Sequence, residues 1–375
     1  MDLASEFPLD EDLCYLNHAA VAPWPRRARD AVIAFATENA AQGARNYPRW
    51  MEKNNHLKSQ IADLINAESA DEIALVKNTS EGLSFVANGI DWAAGDEIVI
   101  SDEEFPSNRV VWEALAPRGV KVVKVPLRDE GRSPEQALID ACGPRTRLLA
   151  ISAVQYASGL RMDLEALGHF TRDRGILFCV DAIQRIGAEP FDVQAIAADF
   201  AIADGHKWML GPEGLGLFYI RRSRMDEVSI SEYGWNMLAD AGNYDAKTWA
   251  PAASARRYEC GSPNVLGACA LSESLALLQD FGMPEVSRNL IRNSSQIIDF
   301  IDNSEAYELL SPREPGRYLG ITVGRRVDGD DDGLFAWLKA RGVVCARRGG
   351  GIRFSPHFYT PQRTLDRLFD LLSSY

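Results

Sequence analysis

The chain has 375 residues, of which 46% are hydrophobic and 25% charged, a composition typical of a soluble globular protein. This length exceeds what one hydrophobic core usually serves, so we expect one large and one small domain. The 40 Lys and Arg residues against 53 Asp and Glu residues give a formal net charge of −13, which argues against non-specific binding to nucleic acids.

The first residues, MDLASEFPLDEDLCYLNHAA, are acidic and lack the basic segment and apolar run of a secretory signal peptide. No apolar run approaches the roughly 20 residues that a membrane-spanning helix needs. The six cysteines are scattered and none forms a CxxC pair, which argues against a zinc site or a disulfide framework. We therefore expect a cytoplasmic protein that has no metal and no membrane partner.

The middle of the chain alternates short β-branched apolar runs, typical of buried strands, with longer amphipathic stretches, typical of helices. The predicted strands are EIALV (72–76), DEIVIS (96–101), VKVVKVPL (120–127), RLLAISAV (147–154), GILFCVDA (175–182), ADFAIADG (198–205) and GLGLFYIRR (214–222). This rhythm predicts an α/β fold with a mostly parallel sheet of seven strands between layers of helices.

Beyond residue 225 the rhythm gives way to an irregular, aromatic-rich segment, and from about residue 263 the sequence predicts a smaller α+β C-terminal domain. Its predicted elements are the helices LGACALSESLALLQDFG and PEVSRNLIRNSSQIIDFIDN, the strand-like pieces YLGITVG, GVVCARRG and GIRFSPHF, and the closing helix TPQRTLDRLFDLLSSY. We assign residues 16–262 to the large domain, and residues 1–15 and 263–375 to the small one.

Polar side chains follow several predicted strands at their carboxyl ends, where the functional residues of parallel sheets gather. Thr79 and Ser80 open a helix directly after a strand, and the unpaired N–H groups of a helix N-terminus form a phosphate seat. Each residue alone also has an ordinary interpretation. Thr79, Ser80 and Asp181 would suit helix caps, Phe105 would suit a core, and Lys207 would suit the surface.

Together these side chains indicate a site for pyridoxal 5′-phosphate (PLP). Lys207 offers an amine to form a Schiff base with the cofactor's aldehyde, Asp181 an acid to keep the pyridine nitrogen protonated, and Phe105 a ring to stack on. A lysine desolvated near other cations has a lowered pKa and becomes a nucleophile and a base. The sequence therefore favours PLP chemistry at Cα and Cβ of a small α-amino acid.

Spaced motifs over nearly the whole chain resemble those of fold-type I PLP-dependent transferases. The specific resemblance is to the class V aminotransferase and cysteine desulfurase-like family, with isopenicillin N epimerase-like and kynureninase-like members nearest. The matching stretches are YLNHAAVAP (15–23), KNTSEGLS (77–84), EEFPSN (103–108), VDAIQ (180–184), DGHKWMLGPEG (204–214), RYECGSPN (257–264) and GIRFSPHFYT (351–360). This resemblance implies the fold-type I architecture and PLP as the cofactor.

The resemblance also implies roles for individual residues. It gives the catalytic role to Lys207, and cofactor binding to Thr79, Ser80, Phe105, Asp181, Gln184, His206, Lys207, Gly261 and Ser262. Within that set Gln184 faces the ring hydroxyl, His206 faces the phosphate, and Gly261 and Ser262 reach the phosphate of the neighbouring subunit. Arg353 would bind the substrate carboxylate in two hydrogen bonds, with Asn17 and His18 also facing the substrate. The family thus implies a homodimer with shared active sites.

Some positions depart from the family pattern. Desulfurases with a nucleophilic cysteine carry it on a loop before the arginine motif, and GVVCARRGGGIRFSPHFYT lacks that loop. Cys345 lies in an apolar run and is interpreted as a buried structural thiol. Asp204 stands where desulfurases place a small hydroxyl residue, and its role is open. Arg347 and Arg348 either read a second acidic group on the substrate or lie on a solvated face.

The reaction itself stays open at this stage between several outcomes. An aminotransferase or a Cβ-eliminating C–S lyase is the favoured interpretation. An epimerase of the isopenicillin N type and a cysteine desulfurase without its cysteine loop are alternatives, and a PLP-fold binding or regulatory protein is the non-enzyme alternative. A dinucleotide-binding enzyme is disfavoured, because the first strand-to-helix turn reads VKNTSEG and not GxGxxG.

Overall fold

A computed structural model describes residues 2–128 and 131–375 of the chain. The helices are α1 (Leu3–Glu6), α2 (Arg26–Gln42), α3 (Tyr47–Leu64), α4 (Thr79–Gly89), α5 (Ser107–Glu113), α6 (Pro134–Ala141), α7 (Leu164–Arg174), α8 (Val265–Phe281), α9 (Met283–Asp302), α10 (Asp331–Ala340) and α11 (Gln362–Ser374). The strands are β1 (Cys14–Tyr15), β2 (Ile73–Val76), β3 (Glu97–Ser101), β4 (Lys121–Val125), β5 (Thr146–Ser152), β6 (Leu177–Asp181), β7 (Phe200–Asp204), β8 (Gly216–Ile220), β9 (Tyr307–Leu309), β10 (Thr322–Arg326), β11 (Val343–Val344), β12 (Ala346–Arg348) and β13 (Gly351–Phe354).

A seven-stranded sheet in the order β2-β8-β7-β6-β5-β3-β4 forms the centre of the larger part. Strands β7, β6, β5, β3 and β4 pair in parallel, whereas β8 runs antiparallel to both of its neighbours. The mostly parallel α/β architecture predicted from the sequence is thereby confirmed, and each of the seven predicted strands is present.

Both faces of this sheet are buried, as its near-continuous apolar strands predict. In β3, for example, Ile98 and Ile100 pack into one core and Val99 into the core on the opposite face. Helices α4 and α5 cover the first face, and α3, α6 and α7 cover the second. The alternation of side chains along each strand thus divides one apolar run between two cores.

The C-terminal part contains a four-stranded antiparallel sheet in the order β12-β13-β10-β9, and β1 pairs in parallel with β11. Three predicted strand-like pieces are present as β10, β11–β12 and β13, while β9 was not predicted. Helix α8, the first element after residue 262, packs against α2 and α3. Among the described residues, no helix is long and apolar enough to cross a membrane.

The topology brings distant segments to one edge of the large sheet. Because β3, β5, β6 and β7 are parallel, their carboxyl ends meet at the same edge, next to the start of α4. A bridge between Asn17 and Ser355 carries the N-terminal segment and the chain after β13 to this edge. The residues that follow these strands therefore surround one cleft.

Candidate active site

A cavity of about 270 Å³ lies at this edge of the sheet. Eight of the residues predicted to bind cofactor or substrate line it: Thr79, Ser80, Phe105, Asp181, Gln184, His206, Lys207 and Arg353. Its other lining residues are Ala19, Ala20, Asn78, Ser107, Tyr156, Ile183, Asp204 and Arg348. The structure thus brings together side chains that are more than 270 positions apart in the sequence.

The N-terminus of α4 forms one wall of the cavity. The Asn78 side chain caps the helix by accepting the Glu81 N–H at 3.0 Å, and Ser80 Oγ donates to Ser107 Oγ at 2.8 Å. The Thr79 hydroxyl is buried without a hydrogen-bond partner among the described residues. A buried unpaired hydroxyl at the positive end of a helix suits an anionic group such as a phosphate.

Asp181 ends β6 and is buried at the cavity wall. Its Oδ1 accepts the Ile183 N–H at 3.1 Å. Burial raises the pKa of this carboxyl above its ordinary value, and the negative charge of Glu104 raises it further, whereas the Ile183 N–H and Lys207 lower it. A buried acid in this position suits a basic ring nitrogen, with which it can share a proton.

Lys207 lies in the turn after β7, where the Leu210 N–H donates to its carbonyl and the Gly211 N–H donates to the Gly205 carbonyl. Its Nζ lies 5.8 Å from the centroid of the Phe105 ring. Burial lowers the pKa of this amine; Asp181 and Asp204 oppose that shift and Arg353 adds to it. The amine is thus poised to lose its proton more readily than a solvated lysine.

The neighbours Asp204 and His206 face each other across the same turn. Asp204 Oδ1 lies 3.1 Å from His206 Nδ1, and both side chains line the cavity. This pairing gives Asp204 a contact that sequence reasoning did not provide.

The Gln184 side chain is held from both ends of its amide. Its Oε1 accepts the Trp208 ring N–H at 2.8 Å, and its Nε2 donates to the Ala19 carbonyl at 3.0 Å. One amide hydrogen stays free to donate into the cavity. This free hydrogen is compatible with the predicted contact to a ring hydroxyl.

Arg353 is a buried guanidinium with spare hydrogen-bonding capacity. Its Nη1 donates to the Tyr156 carbonyl at 2.8 Å, while its Nε is buried without a partner among the described residues. Burial, with a smaller contribution from the positive charge of Arg348, lowers its pKa to about 10. A buried cation with unsatisfied donors requires an anionic partner, and a carboxylate matches the fork of the guanidinium.

Phe105 leaves 42% of its surface exposed beside the cavity and meets the Tyr156 ring edge-on, at a centroid distance of 5.1 Å. Tyr156 follows β5, and no site role was predicted for it. The Tyr156 ring contacts Phe105, and the Tyr156 carbonyl accepts a hydrogen bond from Arg353.

Four predicted residues do not line this cavity. His18 is fully buried, with Nδ1 2.8 Å from the Ser355 carbonyl and Nε2 2.8 Å from the Tyr359 hydroxyl, and burial lowers its pKa to about 4. Asn17 bridges to Ser355. Gly261 is half-buried and Ser262 is exposed. The predicted substrate and inter-subunit roles of these four residues remain predictions.

Arg347 and Arg348 differ in their surroundings. Arg347 forms an ion pair with Asp332 at the surface, whereas Arg348 lines the cavity and donates to the Arg347 carbonyl. Cys345 is buried, and burial raises the pKa of its thiol to about 12, as expected for an inert structural cysteine. In residues 2–128 and 131–375, no group of His, Cys, Asp and Glu is arranged to hold a metal ion.

Comparison with known proteins agrees with this geometry. The family model described as aminotransferase class-V matches residues 14–368. A probable cysteine desulfurase of Methanothermobacter thermautotrophicus is 29% identical over 99% of this chain and 96% of its own length. A cysteine desulfurase of Salmonella typhimurium is 32% identical over 73% of this chain and 69% of its own length.

Solved structures share the same fold. C-DES, described as a cystine C–S lyase in complex with cysteine persulfide, superimposes with a TM-score of 0.89 at 21% identity, over 98% of this chain and 99% of that one. A lysine-to-alanine variant of C-DES, with glycine covalently linked to its PLP cofactor, gives a TM-score of 0.92 at 20% identity over 99% of both chains.

The fold and the cavity together define a fold-type I PLP-dependent enzyme. The buried unpaired hydroxyl of Thr79, the acid of Asp181 and the amine of Lys207 fit the phosphate, ring nitrogen and aldehyde of PLP. The chain belongs to the class-V aminotransferase family. Its cofactor is PLP.

Proposed function

We propose that this enzyme is a C–S lyase that cleaves the Cβ–sulfur bond of a small α-amino acid such as L-cysteine. The observation that carries the proposal is that Lys207 lines the same cavity as the Arg353 guanidinium, whose Nε has no partner among the described residues. An amine that can move a proton and a seat for a carboxylate are the two groups that α-amino acid chemistry requires.

When bound, PLP supplies an aldehyde that captures the substrate amine and a ring that accepts electrons from Cα. The chain's own residues bind and orient the substrate and move protons. Arg353 holds the substrate carboxylate, and Lys207 Nζ takes up the proton that leaves Cα. Asp181 holds a proton on the ring nitrogen, and the start of α4 together with His206 holds the phosphate.

The proposed outcome is elimination. The sulfur leaves Cβ with the electron pair of the C–S bond, and hydrolysis then releases pyruvate and ammonia, so that L-cysteine and water give pyruvate, ammonia and hydrogen sulfide. Several relatives are named cysteine desulfurase, which supports cleavage of a C–S bond. No cysteine lines the cavity in the described ranges, which supports a lyase that forms no persulfide on the protein.

A panel of amino acids tests the proposal, with Lys207→Ala as the control that lacks the reacting amine. We expect pyruvate and sulfide from L-cysteine in the absence of a keto-acid acceptor, and neither product from Lys207→Ala. Accumulation of pyridoxamine phosphate would show an aminotransferase instead. Exchange of the Cα hydrogen for deuterium with racemisation alone would show an epimerase.

We also propose a homodimer that works in the cytoplasm. Ser262 is exposed and lies outside its own cavity, next to a segment with the exposed aromatic residues Tyr233, Tyr244 and Trp249. The Asn236 N–H donates to the Cys260 carbonyl and ties this segment to the Gly261–Ser262 turn. An apolar surface of this kind supports an interface with a second copy. All six cysteines are free, which supports a reducing compartment.

A further inference from the structure

Glu104 is a buried carboxylate between the end of β3 and the start of α5, and the chemistry described above does not use it. It is 5% exposed and forms no ion pair within the described residues. Three groups donate to its Oε1 at 3.0 Å: Ser101 Oγ, the Ser152 N–H and Gln155 Nε2. Asn108 Nδ2 donates to its Oε2 at 2.8 Å, and Ser152 Oγ is a further donor.

The donor pattern identifies Glu104 as a carboxylate anion. The Asn108 amide orientation is fixed, because its Oδ1 accepts the Trp112 ring N–H at 3.0 Å. Each carboxylate oxygen therefore receives at least one N–H group, which can only donate. Five groups able to donate converge on the two oxygens, and three of them are N–H groups that cannot accept a proton, which suits a negative charge that is buried without a cation.

This charge lies next to Asp181. Ser152, which donates to Glu104 through both its backbone and its side chain, is paired directly with Asp181 on the neighbouring strand β6. Neighbouring strands lie about 4.8 Å apart, so the two carboxyl groups share one small region of the interior. The negative charge of Glu104 raises the pKa of Asp181, as expected for such a neighbour.

We propose that Glu104 is a positioning residue for the proton on the cofactor's ring nitrogen, acting through Asp181 by placing a second negative charge beside it. This inference rests on the role proposed above for Asp181. The cations that line the cavity with Asp181 are Lys207, Arg348 and Arg353. The other acidic groups near Asp181 are Asp204, which faces His206, and Glu104. Glu104 does not line the cavity, and it forms no ion pair among the residues that the structure describes.

The test measures ring-nitrogen protonation directly, in holoenzyme loaded with PLP labelled with ¹⁵N at the ring. Glu104→Gln removes the charge, and Ser101→Ala is the matched control, which removes one donor and keeps the charge. Because the charge of Glu104 favours the shared proton on the nearer Asp181, we expect Glu104→Gln to shift the ¹⁵N signal towards pyridinium and to raise the ratio of protonated to neutral ring nitrogen about tenfold, the effect of one pKa unit. Ser101→Ala should match the wild type. Equal signals in Glu104→Gln and wild type would overturn the inference, as would equal shifts in both variants.

A second variant keeps the inference testable if Glu104→Gln does not fold. Glu104→Asp retains the charge and loses part of the hydrogen bonding, so its ¹⁵N signal should match the wild type even if its melting temperature falls. A ¹⁵N signal shifted towards pyridinium in Glu104→Asp would overturn the inference. Asp181→Asn tests separately whether Asp181 holds the proton on the ring nitrogen. A wild-type ¹⁵N signal in Asp181→Asn would refute that role of Asp181, independently of Glu104.

Discussion

Lys207 combines a half-buried side chain with an amine that must react. Burial disfavours the ammonium form, so the folded pKa lies below the ordinary value of 10.5. Below this lowered pKa the amine is protonated and unreactive; above it the amine is neutral and nucleophilic. The rate at which apo-protein captures PLP covalently should therefore rise with pH at a midpoint well below 10.5.

Stopped-flow absorbance on apo-protein mixed with PLP at a series of pH values measures this rate. Lys207→Ala should show no covalent capture at any pH, and it serves as the baseline. A midpoint at the ordinary lysine value would mean that Lys207 is solvated before the cofactor arrives, contrary to its burial.

At the level of single residues, the sequence predicted what lies immediately after a strand. Lys207, Asp181 and Thr79 were predicted as site residues because strand ends can be read from apolar runs, and all three line the cavity. Arg353, which lies within β13, was predicted from the family resemblance. Glu104 was not predicted as a site residue. Its hydrogen-bond donors are all uncharged, so the sequence contains no basic residue that would indicate a partner for this carboxylate. Its only local signal was a glutamate between a buried strand and a helix.

Helix α4 places the phosphate seat by packing closely on the sheet, and Gly82 permits that approach. A Cβ added at Gly82 would come within 2.8 Å of Ile202 Cγ2 on β7. Ile202 is fully buried and β-branched, so it has little freedom to move. Gly82→Ala should therefore push the helix outward, although alanine is the better helix former.

We expect Gly82→Ala to lose ~1–3 kcal/mol of unfolding free energy, the usual cost of overpacking a core, and to bind PLP more weakly. Asn88→Ala, on the exposed face of the same helix, is the control and should change neither property. Thermal unfolding and a PLP titration measure the two effects. Unchanged stability in Gly82→Ala would show that the sheet yields to the added methyl group.

Elements differed in how far they could be predicted. The strands β2–β8 were predicted because each is an apolar run between polar turns. The strands β11 and β12 were predicted as one piece, because the sequence GVVCARRG does not show that pairing changes from β1 to β13 at Cys345. Strand partners separated by hundreds of residues are set by the tertiary fold and not by local pattern.

For the whole molecule, chain ends far apart in sequence complete one site. The parallel pairing of β1 with β11 and the bridge between Asn17 and Ser355 hold the N-terminal segment against the C-terminal part. His18 contributes by contacting Ser355 and Tyr359 from a fully buried position. The motif resemblance predicted a functional role for the segment that contains His18. The fold shows that the His18 side chain contacts other buried residues and does not line the cavity.

The proposed dimer makes a sharp prediction about shared sites. If Ser262 serves the neighbouring subunit, a Lys207→Ala chain and a Ser262→Glu chain carry lesions in different halves of each site. Mixed dimers then contain one site with both lesions and one site with neither. Each variant alone should be nearly inactive, and co-refolded equimolar chains should regain about a quarter of wild-type product formation, since half of the dimers are mixed.

If Ser262 instead served its own subunit, every mixed dimer would have one lesion in each site and no activity would return. A chain that sediments as a monomer while retaining bound PLP and activity would contradict the dimer itself.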